Sequence, residues 1–417
     1  MRSVEQSYSA PRLYPRLAVL AAGLFVVGTN AFVIAGLLPS IAATLGVHAG
    51  DVSYSITFYS IVVAVAAPAI SILLPRLSRT TLMATGMVLV AIGTLIAAAA
   101  PDLLAFTVGR ILAALGGAAI VPAATAAAAA LAPAERRGKA MAFVAIGFAA
   151  STAFGAPLGT AIAGVGSWRL PLFALAGLAA LVAVTVSLFV RNVPLGEPIS
   201  IRRRFAILRD PRMLLTLAST TLVVCGFNTV YIFSSTVTHT TTGGSASLLA
   251  ILLLAFGVAG IGGNLIAGPL IDRFGNRIVA TVFHGAQVVL LAVLPFVLGS
   301  FVDTVILFAL WGVTANAAQL PIQHRLVEID PLTSGIALSW NSTAMYIGIA
   351  LAPPLGSVAV GFGGGGFLVP IFGAIALALA LAAFHIGAWR RPAPRAIAGV
   401  AIAGAPVAAA ESTTPVL

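Results

Sequence analysis

A few polar side chains set into long apolar runs carry what chemistry this 417-residue chain can do. Arg110 lies within the run 103–131, and Asn30, Asn228, Tyr231, Trp311, Asn316 and Gln319 lie within others. An unpaired charge in hydrocarbon costs at least about 2.5–3.5 kcal/mol. Arg110 must therefore either face a polar cavity or snorkel to the surface beside the start of its run, near Asp102. Asn228, Tyr231 and Ser235 are spaced to share one helix face, and Trp311, Gln319 and Gln323 share another. Such groups can line a binding cavity or bond one helix to the next, a contact worth typically ~0.6 kcal/mol.

A second concentration of chemistry is the stretch "GPLIDRFGNR", 268–277, with Asp272, Arg273 and Arg277 in a chain that is only 8% charged. Gly275 and Asn276 suit a turn because both tolerate positive φ. An aspartate there can meet the positive end of a neighbouring helix, roughly +0.5 elementary charge; alternatively, the charges only anchor the loop to lipid headgroups. Small residues recur at every fourth position in two places, Gly147/Ser151/Gly155/Gly159 and Ala344/Gly348/Ala352/Gly356, with Pro157 and Pro354 nearby. Each stripe lies on one helix face where backbones can approach closely, either as plain packing or as a sliding contact between halves. His48, His239, His284, His324 and His385 are scattered, with no ligand pair at helical spacing, and no phosphate-binding glycine loop is present. Neither a metal site nor ATP-driven chemistry is expected, and the single Cys225 rules out an internal disulfide.

The elements that position these residues follow from composition. The chain is 60% hydrophobic, with a mean hydropathy of +1.09, far above the 45–50% or so of soluble domains. Twelve runs are long enough to span a bilayer: 17–38, 53–74, 81–100, 103–131, 139–163, 168–190, 212–236, 247–270, 278–299, 303–323, 334–359 and 367–388. With no water to satisfy their backbones, they must be helices. The first is too long for a signal-peptide core. The net charge of +11 comes from 22 basic and 11 acidic residues. Their placement argues for membrane sidedness and against nucleic acid: twenty basic residues fall in alternate loops and the two ends, leaving only Arg169 opposite and Arg110 within a span. Both termini are therefore expected in the cytoplasm. An offset of 197–198 superposes "APLG" (156–159) on "PPLG" (353–356), Gly138 on Gly335, Pro133 on Pro331 and "GTN" (28–30) on "GFN" (226–228). The expected organisation is an all-α membrane protein of two pseudo-symmetric six-helix halves, related as a parallel repeat. It comprises a cytoplasmic N-terminus (1–16), a first bundle (17–190), a cytoplasmic linker (191–211), a second bundle (212–388) and a disordered cytoplasmic tail (389–417).

The decapeptide resembles the loop signature of the major facilitator superfamily, G-x-x-x-D-R-x-G-[RKN]-[RK], through Gly268, Asp272, Arg273, Gly275 and Arg277. "GRILAALGGAAIVPAATAAAAALAPAERRGKA" (109–140) resembles the fourth span and following loop of the twelve-span drug:proton antiporters. "GAPLGT" (155–160), followed by "GSWR" (166–169), is similar to their fifth-span motif in loose form, which gives Gly155, Pro157 and Gly159 a gating role by resemblance. The resemblance implies the major facilitator fold and a monomeric secondary transporter in the cell (inner) membrane, without a cofactor. It would export small, largely apolar compounds by alternating access, driven by protons. It also implies that Asp272 helps hold a cytoplasmic gate shut and that Arg110 serves coupling or cavity polarity. A nutrient or sugar permease of the same fold is the nearer alternative; a membrane sensor or enzyme is the distant one. Two departures matter. The first-half copy of the signature, 71–79, has Ser71, Pro75 and Ser78 in place of its glycine, aspartate and second glycine. Asn30 and Ala31 stand where many related antiporters carry an acid, and every acidic residue falls in a loop, a terminal segment or a span end, leaving no evident proton carrier.

A cytoplasm-dependent reporter fused after Leu417 is expected to be active, and a reporter active only outside the membrane to be silent; the reverse pattern overturns the orientation read from the basic loops.

Overall fold

The computed structural model describes residues 13–74, 76–191, 193–194, 201–364 and 366–389. Arg2, Arg12, Pro75, Pro198 and the tail from Arg390 onward lie outside these residues. Among the described residues, twelve helices are long and apolar enough to cross a membrane. In chain order they are α1 (Leu13–Leu45), α2 (Ala49–Leu73), α3 (Arg79–Ala99), α4 (Leu103–Leu131), α5 (Arg137–Val165), α6 (Arg169–Phe189), α7 (Pro211–Ile232), α8 (Ala246–Phe274), α9 (Asn276–Val297), α10 (Phe301–Ile329), α11 (Pro331–Gly361) and α12 (Leu368–Ala388). Every expected run holds one of them. Side-chain caps start several: Ser78, Asp102, Ser245 and Ser300 each accept a bond from a backbone N–H three residues on. At the start of α7, Asp210 accepts from the Arg212 backbone and guanidinium. Burial raises the Asp210 carboxyl, but these bonds and the Arg212 charge outweigh it and hold it below the ordinary carboxylate range.

The helices are not all regular. Ser151–Gly155 in α5 forms a π turn in which the Ala156 N–H reaches back five residues to the Ser151 carbonyl. Pro157, two residues on, has no N–H to give. In α10 the helix breaks at Ala318, three residues before Pro321, so Trp311, Gln319 and Gln323 do not share one continuous face as expected. The linker carries a short helix, Ile201–Ala206, that the sequence did not suggest.

Within the first half, α3 packs on α4 and α6 while α1 packs on α5; within the second, α8 packs on α10 while α7 packs on α11 and α12. The halves meet along two seams, α2 on α11 and α5 on α8, which the repeat exchanges with each other. Both small-residue stripes face their own half, not the seams. A Cβ on Gly147 would overlap the Ala21 carbonyl of α1, and one on Gly155 or Gly159 would strike Thr29 or Val33. In the second half, Gly348 sits against Thr221 and Val224 of α7, and Gly356 against Phe233. The stripe holding Gly155, Pro157 and Gly159 is thus packing on α1, and the sliding contact is not made there. The α5–α8 seam uses other positions: Gly257 lies on the backbone of Thr152 and Ala153.

Apolar cores differ at the two ends. At the end away from the basic loops, one continuous cluster joins both halves: Ile34, Leu37 and Ile41 of α1 share it with Phe233, Val237 and Leu252. At the basic end the halves keep separate clusters. One is built on Leu20, Met83, Ile120 and Val144 in the first half; the second half has one with Met213, Leu326 and Ile336 and another with Ile271, Val279 and Phe283. The molecule is closed at one end and parted at the other.

Gly147→Ala is expected to cost about 1–3 kcal/mol through overpacking against α1. Gly177→Ala, where a Cβ meets nothing within 4 Å, should be neutral or stabilising by up to ~1 kcal/mol. Thermal unfolding of the purified variants measures both.

Candidate functional site

The site starts from close contact between α3 and α4. A Cβ on Gly93 would lie 2.6 Å from the Gly109 carbonyl oxygen, and one on Gly109 would lie 2.6 Å from the Gly93 carbonyl oxygen. With Gly109 turned to α3, the next residue, about 100° further round the helix, faces α1 and α2. That residue is Arg110, only 1% exposed. Its Nη1 donates to the Asn30 carbonyl at 2.6 Å and to Asn30 Oδ1 at 2.5 Å, and Asn30 Nδ2 donates to Thr94 Oγ1 at 2.6 Å. The guanidinium carbon lies 4.4 Å from the centre of the Tyr59 ring, a cation–π contact. Arg110 Nε and Nη2 have no hydrogen-bond partner among the described residues. Arg110 therefore does not snorkel.

Tyr59 also lines a small void where the halves meet, together with Phe32, Ser60, Asn228, Tyr231 and Tyr346. Its volume is about 10 Å³, room for about one water. The Tyr59 and Tyr231 hydroxyls and Asn228 Oδ1 are buried and unpartnered among the described residues; Asn228 Nδ2 is bonded within its own helix to the Val224 carbonyl at 2.8 Å. Tyr346 separates this void from a cleft of about 380 Å³ that opens toward the basic end between α2, α4 and α11, past Val63, Pro122, Thr125, Leu338 and Ser342. On the far side the α2–α11 seam is shut, with Thr57 Oγ1 donating to the Ala350 carbonyl at 2.8 Å. The arrangement is a buried polar point with a cleft leading toward it from the basic end and a closed seam on the far side.

The sequence profile of the Major Facilitator Superfamily matches residues 20–329. The chain belongs to that superfamily. It is a multi-pass membrane transporter and not an enzyme. It is 29% identical over 346 residues to the uncharacterized MFS-type transporter YbcL of Bacillus subtilis, covering 83% of this chain and 88% of that protein. It is likewise 29% identical over 379 residues to the inner membrane transport protein YdhP of Escherichia coli K12, covering 91% and 97%. Among solved structures, a point mutant of the nucleoside transporter NupG superposes with a TM-score of 0.73 at 13% identity, covering 90% of this chain and 99% of that one. A bacterial homologue of the human lysosomal transporter Spinster, inward-facing and occupied, superposes with a TM-score of 0.71 at 14% identity, covering 91% and 97%. These likenesses share the superfamily fold.

The superfamily's loop signature is intact in shape. Gly275 has φ +81° and starts α9, so the reversal from α8 takes one residue; Asn276 is already helical and needs no positive φ. Gly268 has open space around it apart from a Leu320 methyl. Arg273 lies over the Phe274 ring at 5.2 Å, and Arg277 Nε donates to His385 Nδ1 at 3.3 Å. Asp272 is exposed and makes no hydrogen bond or ion pair among the described residues.

Of the polar residues expected to line a cavity, Asn228 and Tyr231 do so. Asn30 does not: it is committed to Arg110 and Thr94. Trp311 is buried between Phe256 and Phe308, with ring centres 4.6 and 5.4 Å away. Asn316 bonds back to the Gly312 carbonyl and packs on Gly260 of α8, and Gln319 follows the break in α10, outside the void. Tyr59, Thr94 and Tyr346 were missed. Their only signal is a hydroxyl in an apolar span, which many packing residues share. The lone arginine on the outer side, Arg169, caps α3 by donating to the Ala98 and Ala100 carbonyls at 3.0–3.2 Å.

Lysine keeps the charge of Arg110, but its ammonium cannot both reach the two Asn30 oxygens that Nη1 bonds and lay a flat cation over the Tyr59 ring. Arg110→Lys is expected to lower transport substantially and Arg110→Ala to nearly abolish it, at normal membrane expression. Rates in proteoliposomes normalised to protein test this, and wild-type activity in the lysine variant overturns it.

Proposed function

We propose that this transporter exports small, largely apolar compounds by alternating access and is coupled to protons. It acts as a monomer in the cell (inner) membrane with both termini in the cytoplasm. The observation that carries the alternating-access reading is the pair of unlike ends: one shared core at the far end and separate cores flanking a cleft at the basic end. By the positive-inside rule the basic end faces the cytoplasm, which makes this the inward-open state. The first bundle (17–190) and the second (212–388) rock about the void at Asn228 and Tyr231. Export and proton coupling rest on the resemblance of 109–140 and 155–169 to drug:proton antiporters.

In this reading Asp272, with Gly268, Arg273, Gly275 and Arg277, belongs to the cytoplasmic gate. Its carboxylate has no partner among the described residues, in keeping with an open gate. On closure it meets the N-terminus of α5 across the α5–α8 seam, gaining about 0.3–2 kcal/mol from the helix dipole, enough to bias two states without freezing either. The first half has lost this contact with Ser71 and Pro75, so the latch is one-sided.

Cys225 is buried and can be replaced by alanine to leave a thiol-free background. In that background Ser342→Cys, on the cleft wall, is expected to label from the cytoplasmic side, and Asp272→Asn to raise that labelling by shifting the population inward-open. A compound panel in an efflux-deficient host should show raised tolerance that Arg110→Ala removes. Unchanged labelling, together with uptake in place of export, sinks the reading.

A further inference from the structure

Building on the transport reading, we propose that the central site selects by charge. It takes small, largely apolar compounds that carry one negative charge, accepts neutral ones more weakly, and rejects the cationic counterparts.

Arg110 is the only arginine, lysine or acidic side chain among the buried described residues, and it has no counter-ion: no described aspartate or glutamate is buried. Two of its guanidinium nitrogens, Nε and Nη2, lack any acceptor among the described residues. The guanidinium rests on the Tyr59 ring, and that same ring lines the central void. The void is also lined by Tyr231, whose hydroxyl is buried with no partner among the described residues, while the Tyr59 hydroxyl lies against Gly117 of α4. The Tyr231 hydroxyl can donate to a carboxylate or sulfonate oxygen, while Phe32 and the face of Tyr59 offer aromatic contact to the rest of the molecule. A buried donor without an acceptor is costly, so a ligand that brings acceptors and a negative charge relieves both deficits at once.

The access route has the same polarity. Among the described residues no charged side chain lines the cleft itself, but two arginines hold its rim. Arg204 of the linker helix donates to Ser71 Oγ at 2.7 Å, and Arg79 donates to the Ala126 carbonyl at 2.7 Å; Ser71 and Ala126 both line the cleft. A low-dielectric cleft rimmed by one sign of charge concentrates ions of the other sign.

The size of the effect follows from distance. The void itself holds about one water, so a ligand entering from the cleft reaches the Tyr59 ring only when Tyr346 swings from between them. In van der Waals contact with that ring, about 3.5 Å further on, it lies roughly 8 Å from the Arg110 guanidinium carbon. At an effective dielectric of about 20, one unit charge there changes binding by about 30-fold. The sign reverses for a cation. For an isosteric anion and cation, whose desolvation is comparable, the two shifts compound to a preference approaching 10³-fold for the anion.

The test uses the purified full chain and three probes of one shape: 2-naphthoate, 2-naphthalenemethanol and 2-naphthylmethylammonium. Ligand-induced thermal stabilisation, which rises with the ratio of ligand to its dissociation constant, should rank naphthoate first, the alcohol second and the ammonium last. In Arg110→Gln the naphthoate advantage should vanish. Tyr231→Phe keeps the ring and removes the donor at the void; it should weaken naphthoate several-fold at an unchanged unliganded Tm, and it reads the same site if Arg110→Gln fails to fold. Equal or stronger stabilisation by the ammonium, or none by any of the three, overturns the charge assignment. If cysteine labelling at Ser342→Cys still reports two access states in that event, the transport reading stands without it.

Discussion

In a bilayer the lipid tails are as apolar as leucine, so helices gain little by hiding side chains from their surroundings and must gain by touching one another. Backbone contact at small residues is the interaction on which this molecule depends. Gly93 and Gly109 lock α3 to α4, the stripe from Gly147 to Gly159 locks α5 to α1, and its repeat partner locks α11 to α7. All three contacts lie inside one half or the other and tie the helices of each half together. One contact of the same kind crosses between the halves, where Gly257 of α8 lies on the backbone of Thr152 and Ala153 of α5.

The same contacts decide where charge can sit. Only because α3 and α4 meet backbone to backbone is Arg110 turned away from lipid and onto Asn30 and Tyr59. The second half carries no counterpart to this charge. Around Trp311 it places Phe256 and Phe308, with Tyr231 against Phe256 in turn. The repeat keeps shape and divides chemistry: the first half buries a charge behind the Tyr59 ring, and the second buries an aromatic cluster. The pair Asn30 and Asn228 follows the division: the first is consumed in holding Arg110, and the second keeps a free oxygen at the void.

Much of the architecture was legible in the sequence because the bilayer imposes a length and a polarity on every span. Twelve runs gave twelve helices, and alternate basic loops gave one basic end. The site was legible only in part. Arg110, Asn228 and Tyr231 announce themselves as polar residues in apolar surroundings. Periodicity assigns such a residue to a face, however, and says nothing about which neighbour that face meets; Asn316 and Trp311 turned out to face α8 and an aromatic cluster. Asn30 and Arg110 are 80 residues apart, so their pairing is a product of tertiary packing. The stripes were read correctly as close-approach surfaces, but their partner helix could not be.

The π turn in α5 has a consequence for how that helix can move. On a regular α-helix, residues four apart drift by about 40° per step, so three steps from Gly147 would carry Gly159 well off α1. The wider turn at Ser151–Gly155 rotates less per residue and brings the stripe back, which is how Gly147, Gly155 and Gly159 all reach the same neighbour. The helix thus carries one residue of slack. Pro157 blocks its passage toward the far end, since a proline cannot donate the bond a migrating turn would need. Toward the basic end no such block stands between Arg137 and Ala150. Passing the slack that way would turn the part of α5 before Ser151 and lift Gly147 off Ala21 of α1, while Gly155 and Gly159 stayed seated on Thr29 and Val33.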